Sequence, residues 1–284
     1  MHFNYIKPKN LLEALQILSQ ASEETRVLAG GTDILVNIQD GMLSPHTLVD
    51  IASLEELKQI EEKDGQLELG ALVTHSQIAG SERLREKAPP LVQACAEIGS
   101  PQIRNLGTLG GNIITASPSG DTVPPLYVLE ARLTLKSVKG KRQIPIEQFF
   151  TGVKETIIRP EEILTTISFP VLPASSKSFF KKLGQRKALA ISKVSVAAII
   201  DIQAGMIKDA RIALGAVAPM VIRASQTETV LKGKTLEKDV ISQATKIIVT
   251  ESRAISDIRS TAEYRNEMVG VLLAQVMEEM LEES

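Results

Sequence analysis

The spacing of apolar positions divides the chain into three segments, and the first, residues 1–55, alternates between helical and extended patterns. A helix is predicted after Asn10, because Asn10 and Glu13 have the spacing of a capping box and leucines follow at helical intervals. Short apolar runs at 27–29 and 47–51 lie on either side of a second helical pattern. Strands that alternate with helices predict a small parallel sheet.

The second segment, residues 56–172, shows the alternation of apolar and polar positions that is typical of antiparallel strands. Two such runs flank Asp64 and Gly65, a dipeptide that favours a tight hairpin turn. A helix is predicted over residues 89–98, with Gly99 at its end. Further strands are predicted at 132–136, 141–146 and 163–169. We expect an antiparallel sheet with helices in this segment.

A stretch rich in proline and serine at 170–177 is the best candidate for a linker between domains. Beyond it, strands are predicted at 178–187, 195–203 and 207–217, the last two joined through a turn at Ala204 and Gly205. Helical patterns follow at 227–231, 240–255 and 262–281. The C-terminal domain, residues 176–284, is therefore predicted to combine a three-stranded antiparallel sheet with three helices, and the whole chain to be an α+β protein.

Composition and charge narrow the class of protein. The 284 residues are 43% hydrophobic with a formal net charge of -2, which argues against a basic nucleic-acid binder. No apolar run approaches the roughly 18 to 20 residues of a membrane span, and the first residues lack the apolar region of a signal peptide. We therefore expect no membrane span, no nucleic-acid partner and a cytoplasmic location.

The chain lacks the residues for a metal centre. Its one cysteine, Cys95, cannot form an intrachain disulfide or hold an iron–sulfur cluster alone. The histidines His2, His46 and His75 are too scattered to indicate a metal site or a catalytic base, and each is expected to be structural or at the surface. Any iron–sulfur chemistry must therefore belong to another chain.

The densest group of conformationally special residues lies between 99 and 131, where four glycines stand among asparagine, threonine, serine and aspartate. Glycine allows backbone N–H groups to approach a ligand closely, and successive N–H groups bind anions, phosphate above all. Asp121 precedes an apolar run, as at a helix N-terminus. The alternative is two solvated turns that flank a short strand.

A second glycine site supports the ligand-binding interpretation. Residues 25–37 predict a short buried strand, a turn at Gly30 and Gly31, a cap at Thr32 or Asp33, and a short helix whose inner face carries apolar residues at 34, 35 and 38. A strand, a glycine turn and a helix N-terminus together form a phosphate site. Two such loops suit a ligand with two phosphates, although neither has the spacing of a P-loop or of a Rossmann fingerprint.

The motifs AGGTD at 29–33 and QIRNLGTLGGNIITASPSGD at 102–121 resemble the FAD-binding subunit of the molybdenum hydroxylases, a family that includes xanthine dehydrogenase and aerobic carbon monoxide dehydrogenase. The resemblance covers essentially the whole chain. It implies an FAD-binding fold of the vanillyl-alcohol oxidase (PCMH) type in two subdomains, 1–55 and 56–172, followed by the C-terminal domain.

The resemblance also implies contacts with FAD but no catalytic or metal-binding residue in this chain. It assigns cofactor contacts to Val27, Leu28, Ala29, Gly30, Gly31, Thr32, Asp33, Ile34, Ile98, Thr108, Gly110, Gly111, Asn112, Asp121, Leu164 and Lys182.

The resemblance implies a specific role for four of these residues, and for three of them an ordinary structural role is the alternative. Thr108 matches a hydroxyl donor to the diphosphate. Asp121 matches a carboxylate at the adenosine end, or is a plain N-cap. Leu164 matches a leucine near the flavin, or is a core leucine. Lys182 matches a cation that stabilises the reduced flavin ring, or is an exposed strand lysine, and its neighbours Lys181 and Lys187 leave that match open by position. For Arg104, positioning of the loop and contact with a partner both stay open.

The function implied is transfer of electrons through FAD to an external acceptor. FAD is expected to be non-covalent, since neither loop contains His or Cys. A large molybdenum-cofactor subunit and a small [2Fe–2S] subunit are the implied partners, in a dimer of heterotrimers. A flavin-binding assembly protein without turnover and a stand-alone flavin reductase are the alternatives. The hydroxylated substrate and the electron acceptor stay open.

Overall fold

The computed structural model describes residues 3–173, 175–186 and 189–282. The predictions for His2, Lys187 and the last two residues of the acidic C-terminus lie outside these ranges. Strands β1 to β14 and helices α1 to α11 are numbered below in chain order. They form three groups, each around its own cluster of buried apolar residues.

The first group is the predicted small parallel sheet. Its strands are β1 (Asn4–Ile6), β2 (Thr25–Leu28) and β3 (Thr47–Asp50), and β3 lies in the middle with both neighbours parallel to it. The helices are α1 (Leu11–Ser19) and α2 (Ile34–Gln39). Asn10 caps α1 by accepting a hydrogen bond from the Glu13 N–H at 2.9 Å, as predicted. The Glu13 carboxylate accepts from the Lys9 N–H instead of completing the box at Asn10.

The second group contains the predicted antiparallel sheet, whose strand order within residues 3–173 is β4-β5-β10-β6-β7. These strands are β4 (Ile60–Lys63), β5 (Gln66–Gly70), β6 (Arg132–Ser137), β7 (Gly140–Pro145) and β10 (Ile163–Pro170). A small ribbon of β8 (Phe150–Gly152) and β9 (Glu155–Thr156), absent from the predictions, follows β7. The predicted helix at 89–98 is α5 (Pro89–Glu97), and α8 (Val123–Val128) follows the glycine-rich stretch.

Four further short helices in this group were not predicted. They are α3 (His75–Gly80), α4 (Glu82–Lys87), α6 (Pro101–Leu106) and α7 (Leu109–Thr115). None exceeds two turns, so apolar periodicity has too little length to become visible. Two of them occupy residues 101–115, so the alternative of solvated turns around a short strand is wrong. The glycine-rich stretch is instead built from two short helices.

The C-terminal group has a sheet in the order β11-β12-β13-β14, in the part of the chain that the structure describes. The long strands are β11 (Ser176–Leu183), β12 (Val194–Gln203) and β13 (Met206–Gly215), and all pair antiparallel, as predicted. The predicted count of three strands is corrected by β14 (Ile222–Arg223), a two-residue edge strand too short to predict. Helices α9 (Ser225–Leu231), α10 (Lys238–Glu251) and α11 (Ala262–Glu282) follow.

Strand β12 joins the C-terminal group to the second one because both of its faces are buried. Val196 and Ile200 belong to the cluster formed with α10 and α11, whereas Ala197 and Ile199 belong to the central cluster of the second group. This double burial explains why the sequence of β12 is almost continuously apolar. Helices α5 and α8 pack on this side of the C-terminal sheet. The glycine-rich stretch between them therefore lies at the junction of the two groups.

Candidate functional site

The first glycine turn connects β2 to α2. Gly31 has φ of +77°, a conformation that glycine adopts at no steric cost. Asp33 occupies the N-cap position, but its side chain makes no capping hydrogen bond. Its carboxylate lies 3.2 Å from Thr115 Oγ1, and the single proton of that hydroxyl is shared with the Gly111 carbonyl at 3.0 Å. The cap expected at Thr32 or Asp33 is therefore not formed by the Asp33 side chain, and the N-terminus of α2 is left without that acceptor.

The turn presents a row of unpaired backbone donors. None of the described residues accepts a hydrogen bond from the backbone N–H groups of residues 30–34. Gly30, Gly31 and Thr32 are only half-buried, so a ligand can reach these groups. Consecutive free N–H groups at a turn and a helix N-terminus attract an anion, and phosphate has several acceptor oxygens for them. The turn thus has the donor set of a phosphate site.

The two glycine sites are in direct backbone contact. A Cβ added at Gly30 would lie only 1.8 Å from the carbonyl oxygen of Leu106 and 3.2 Å from the nitrogen of Gly107. Real Cβ atoms do not approach backbone so closely, so Gly30 is the residue that allows the two segments to meet. The Asp33–Thr115 hydrogen bond joins the same two segments a few residues further along.

The second glycine site differs from the expectation. The Gly110 N–H donates to the Ala71 carbonyl at 2.8 Å, and the Gly111 N–H donates to Thr108 Oγ1 at 3.0 Å. These N–H groups are already paired, so the expected row of exposed donors is wrong for this site. Thr108 caps α7, and Asn112 accepts a hydrogen bond from Thr122 at 2.7 Å. The Thr108 hydroxyl proton and the Asn112 amide group are among the donors that this site can still offer.

The residues at the start of α3 form hydrogen bonds and packing contacts with the second glycine site. The Leu109 N–H donates to the Val73 carbonyl at 2.9 Å, and the His75 N–H donates to the Gly107 carbonyl at 3.0 Å. The His75 ring packs against Gly107, where an added Cβ would meet the ring at 3.1 Å. His75 Nδ1 lies 3.6 Å from Cys95 Sγ, and both side chains are buried. The prediction that His75 is structural agrees with this contact.

Burial sets the protonation of both groups. Desolvation, helped by the positive charge of Arg104, lowers the pKa of His75 to about 4. Burial raises the pKa of the Cys95 thiol. At neutral pH the imidazole and the thiol are therefore uncharged, as a buried supporting contact requires.

Asp121 and Lys182, assigned separately from the sequence, form one buried ion pair. Lys182 Nζ lies 2.7 Å from Asp121 Oδ2 and also donates to the Glu97 carbonyl at 2.9 Å. Ser192 donates to the other carboxylate oxygen of Asp121. Burial raises the pKa of Asp121, and the Lys182 ammonium opposes that rise. The two residues, which lie far apart in the sequence, therefore form a single hydrogen-bonded unit with Ser192.

The ion pair also excludes two structural alternatives, an N-cap role for Asp121 and an exposed position for Lys182. The carboxylate of Asp121 does not cap α8, whose N-cap is Thr122. Lys182 is buried rather than an exposed strand lysine. The neighbouring Lys181 points to the other side of the sheet and pairs with Glu279 on α11. The register of β11 thus assigns the site lysine to position 182.

The remaining predicted contacts are distributed around this junction. Leu28 and Leu164 are buried, and Leu164 lies in the central apolar cluster next to a bulge in β10. Val27 and Ile34 are half-buried, and Ile98 follows the last residue of α5. Leu35, predicted to face inward, is 46% exposed. Among the described residues no group of His, Cys, Asp and Glu has the arrangement of a metal site.

Sequence reasoning missed Ser192 and Ala71 because each reaches the site only through the tertiary fold. Ser192 lies 71 residues from its partner Asp121, and no local motif marks it. Ala71 accepts the Gly110 N–H and leaves room only for glycine opposite it. The sole local signal for either was the small size of its side chain.

No helix among the described residues is long and apolar enough to cross a bilayer.

Comparisons with known proteins show to which family the chain is similar. Residues 1–172 match the family model of the FAD binding domain in molybdopterin dehydrogenase, and residues 178–280 match that of the CO dehydrogenase flavoprotein C-terminal domain. The chain is 32% identical to the nicotinate dehydrogenase FAD-subunit of Eubacterium barkeri, over 99% of this chain and 97% of that one. It is 31% identical to the carbon monoxide dehydrogenase medium chain of Afipia carboxidovorans, over 97% and 96%. A solved carbon monoxide dehydrogenase from Hydrogenophaga pseudoflava superposes with a TM-score of 0.93 at 28% identity, over 97% and 96%.

The second glycine site predicts that Gly110 is needed for the fold as well as for any ligand. In Gly110→Ala the new Cβ would lie 2.7 Å from the Ala71 oxygen and disturb the hydrogen bond that Ala71 accepts. We expect the free energy of unfolding in urea to fall by about 3 kcal/mol. Gly80→Ala is the control, because nothing lies within 4 Å of its new Cβ and alanine favours a helix. Equal stability of the two variants would contradict the packing assigned to Gly110.

The buried His75 predicts a loss of stability in mild acid. The unfolded chain protonates this histidine near pH 6.5, whereas the folded chain does so near pH 4, so stability falls as the pH drops through this window. At pH 5 the loss is about 2 kcal/mol relative to pH 7. Urea unfolding of the unmodified chain and of His75→Gln at both pH values measures it, and the variant should lack this part of the loss. His46→Gln, at an exposed histidine, should behave like the unmodified chain.

Proposed function

This chain belongs to the flavoproteins of the molybdopterin dehydrogenase family, and on that premise we propose that it is the FAD-carrying subunit of a molybdenum-containing hydroxylase or dehydrogenase. In this role it receives electrons from iron–sulfur clusters of a partner subunit and delivers them to an external acceptor. The observation that carries the proposal is the row of unpaired N–H groups at residues 30–34, in a turn that packs directly against the second glycine site.

The donors present at the junction fit the diphosphate of FAD. The N–H groups of the first turn would hold one phosphate, and the Thr108 hydroxyl and the Asn112 amide would contribute from the second site. Ala29, Thr32 and Asp33 belong to this proposed contact set by their place in the turn. Gly110 and Gly111 would act through the shape of the backbone, since their own N–H groups are paired.

The Lys182–Asp121 pair, Ile98 and Leu164 are proposed to contact another part of the same cofactor. FAD, when bound, supplies the redox chemistry of the subunit. Lys182 would face a reduced flavin as a cation partly neutralised by Asp121, so its Coulomb stabilisation of negative charge is weaker than that of an unpaired lysine. The residues of this chain would therefore bind and orient the cofactor and tune its potential only modestly.

The hydroxylation step is assigned to partners. One cysteine in 284 residues cannot supply the four thiolates of a [2Fe–2S] cluster. Relatives of similar identity carry names that refer to nicotinate, carbon monoxide and glyceraldehyde. Because one fold serves such different reactions, we propose that a large molybdenum-cofactor subunit sets the substrate. A small [2Fe–2S] subunit would complete the heterotrimer, two of which would form the complete enzyme, located in the cytoplasm.

The domain boundaries proposed from the sequence remain 1–55, 56–172 and 176–284. Three apolar clusters, each drawn mainly from one of these segments, support this division, although residues of β11, β12 and β13 also join the central cluster. The FAD-binding fold of the vanillyl-alcohol oxidase (PCMH) type is proposed for the first two.

An exposed apolar surface next to the glycine sites suits the docking of the iron–sulfur subunit. It is formed by side chains of α2, α6 and α7 that are each at least 38% exposed, namely Leu35, Val36, Ile103, Leu106 and Ile114. Helix α6 contains no buried residue. Apolar side chains left in water around a cofactor site indicate a surface that a protein partner covers. This surface is proposed because it adjoins both glycine sites.

The assembly-protein and flavin-reductase alternatives differ from the proposal in a measurable way. In the purified complex, anaerobic mixing with the substrate of the molybdenum subunit should bleach the flavin absorbance near roughly 450 nm, since the flavin carries the electrons. The isolated chain should bind one non-covalent FAD, released by acid, and show no bleaching with purines, aldehydes or carbon monoxide. Bleaching in the isolated chain would contradict the subunit role. Absence of bleaching in the complex would favour the assembly protein. Oxidation of NADH by the isolated chain would favour the flavin reductase.

The docking surface predicts a loss of assembly without a loss of flavin. In Val36→Glu and Leu106→Glu a charge replaces an exposed apolar side chain, so co-purification of the iron–sulfur subunit should fall at least about tenfold, because desolvating an unpaired carboxylate opposes association. Val138→Glu, at an exposed valine of the β6–β7 hairpin, is the matched control. Intact assembly of both test variants would exclude this surface as the docking site.

A further inference from the structure

Helix α5 ends against two cations that come from different parts of the fold. Its last residue is Glu97, and Lys182 from the C-terminal group donates to the Glu97 carbonyl at 2.9 Å. Arg104 from α6 donates through Nη1 to the next two carbonyls, those of Ile98 at 2.9 Å and Gly99 at 3.3 Å. Three successive carbonyls are thus bound by side-chain cations. Cations are favourable at the negative end of a helix, where carbonyls lack partners within the helix.

The geometry of the turn after α5 makes the Arg104 contact possible. Gly99 has φ of +47°, and a Cβ there would lie 2.9 Å from Ile103 Cγ2. Ser100 then caps α6 by accepting from the Ile103 N–H at 3.2 Å. This tight reversal returns α6 towards the end of α5 within a few residues. The half-buried Arg104 side chain spans the reversal and fixes the peptide that carries Ile98.

We infer that Arg104 is the positioning residue that holds Ile98 in place at the cofactor site. The inference rests on the proposed function, because it takes Ile98 as a contact of bound FAD. Arg104 does not touch the cofactor in this role. It acts by clamping the 98–99 peptide from one side while Lys182, paired with Asp121, clamps residue 97 from the other. Of the two roles considered for Arg104, positioning of the loop is therefore favoured over contact with a partner.

The test compares FAD affinities of the full chain by quenching of flavin fluorescence. Arg104→Gln removes two charge-assisted hydrogen bonds to backbone, so FAD should bind about tenfold more weakly. Arg104→Lys retains the charge and can reach a single carbonyl, so it should lose about threefold. Arg85→Gln, at an exposed arginine on the neighbouring helix α4, is the control and should bind FAD like the unmodified chain.

A double-mutant cycle with Ile98→Ala separates positioning from a general effect on stability. If Arg104 acts through Ile98, the tenfold loss should shrink to less than about twofold in the Ile98→Ala background. An equal loss in both backgrounds, or an Arg104→Gln variant that binds FAD like Arg85→Gln, overturns the inference. If circular dichroism shows that Arg104→Gln does not fold, the cycle is run with Arg104→Lys, whose expected loss of about threefold should disappear in the Ile98→Ala background. Failure of the unmodified chain to bind FAD would instead reject the proposed function, and this inference with it.

Discussion

The contact between Gly30 and the backbone at Leu106 is the constraint on which the candidate site depends. It joins the first parallel sheet to the helical stretch of the second group at a distance that only a residue without Cβ allows. The hydrogen bond between Asp33 and Thr115 maintains the same junction. The Asp33 side chain does not cap α2, and none of the described residues accepts a hydrogen bond from the N–H groups of the turn. The packing of Gly30 therefore joins the two segments at a turn whose backbone donors are unpaired.

The Lys182–Asp121 pair performs the corresponding task for the C-terminal group. Buried pairs contribute little net stability, but removal of one partner costs about 3–5 kcal/mol because a charge is left buried and unpaired. The hydrogen bonds from Ser192 and to the Glu97 carbonyl restrict the pair to one arrangement. Together with the burial of both faces of β12, this pair fixes how the C-terminal sheet sits against α5 and α8. It gives specificity of docking more than stability.

Much of the fold was predictable because it depends on local patterns. The hairpin at Asp64, the cap at Asn10 and the long strands of the C-terminal sheet all follow from residues close in sequence. The glycine turn between β2 and α2 follows from local sequence as well, but the pairing of the Gly110 and Gly111 N–H groups does not. Whether Gly110 offers its N–H to a ligand depends on Ala71, which is brought opposite it only by the fold. The partners of Asp121 were likewise invisible, since Lys182 and Ser192 lie 61 and 71 residues away along the chain. Those of Arg104 are backbone carbonyls, which leave no trace in the sequence.

The division of labour between the two glycine sites follows from these contacts. In the second site, hydrogen bonds to the Ala71 and Val73 carbonyls and from the His75 N–H fix the backbone in the absence of ligand. In the first site the donors are unpaired, yet the turn is held by its contact with the second. A site whose donors are already oriented loses less entropy when a ligand binds, so more of the interaction energy appears as affinity. In the proposed function, the glycines of the second site would therefore act on the ligand indirectly, by keeping the first turn in one conformation.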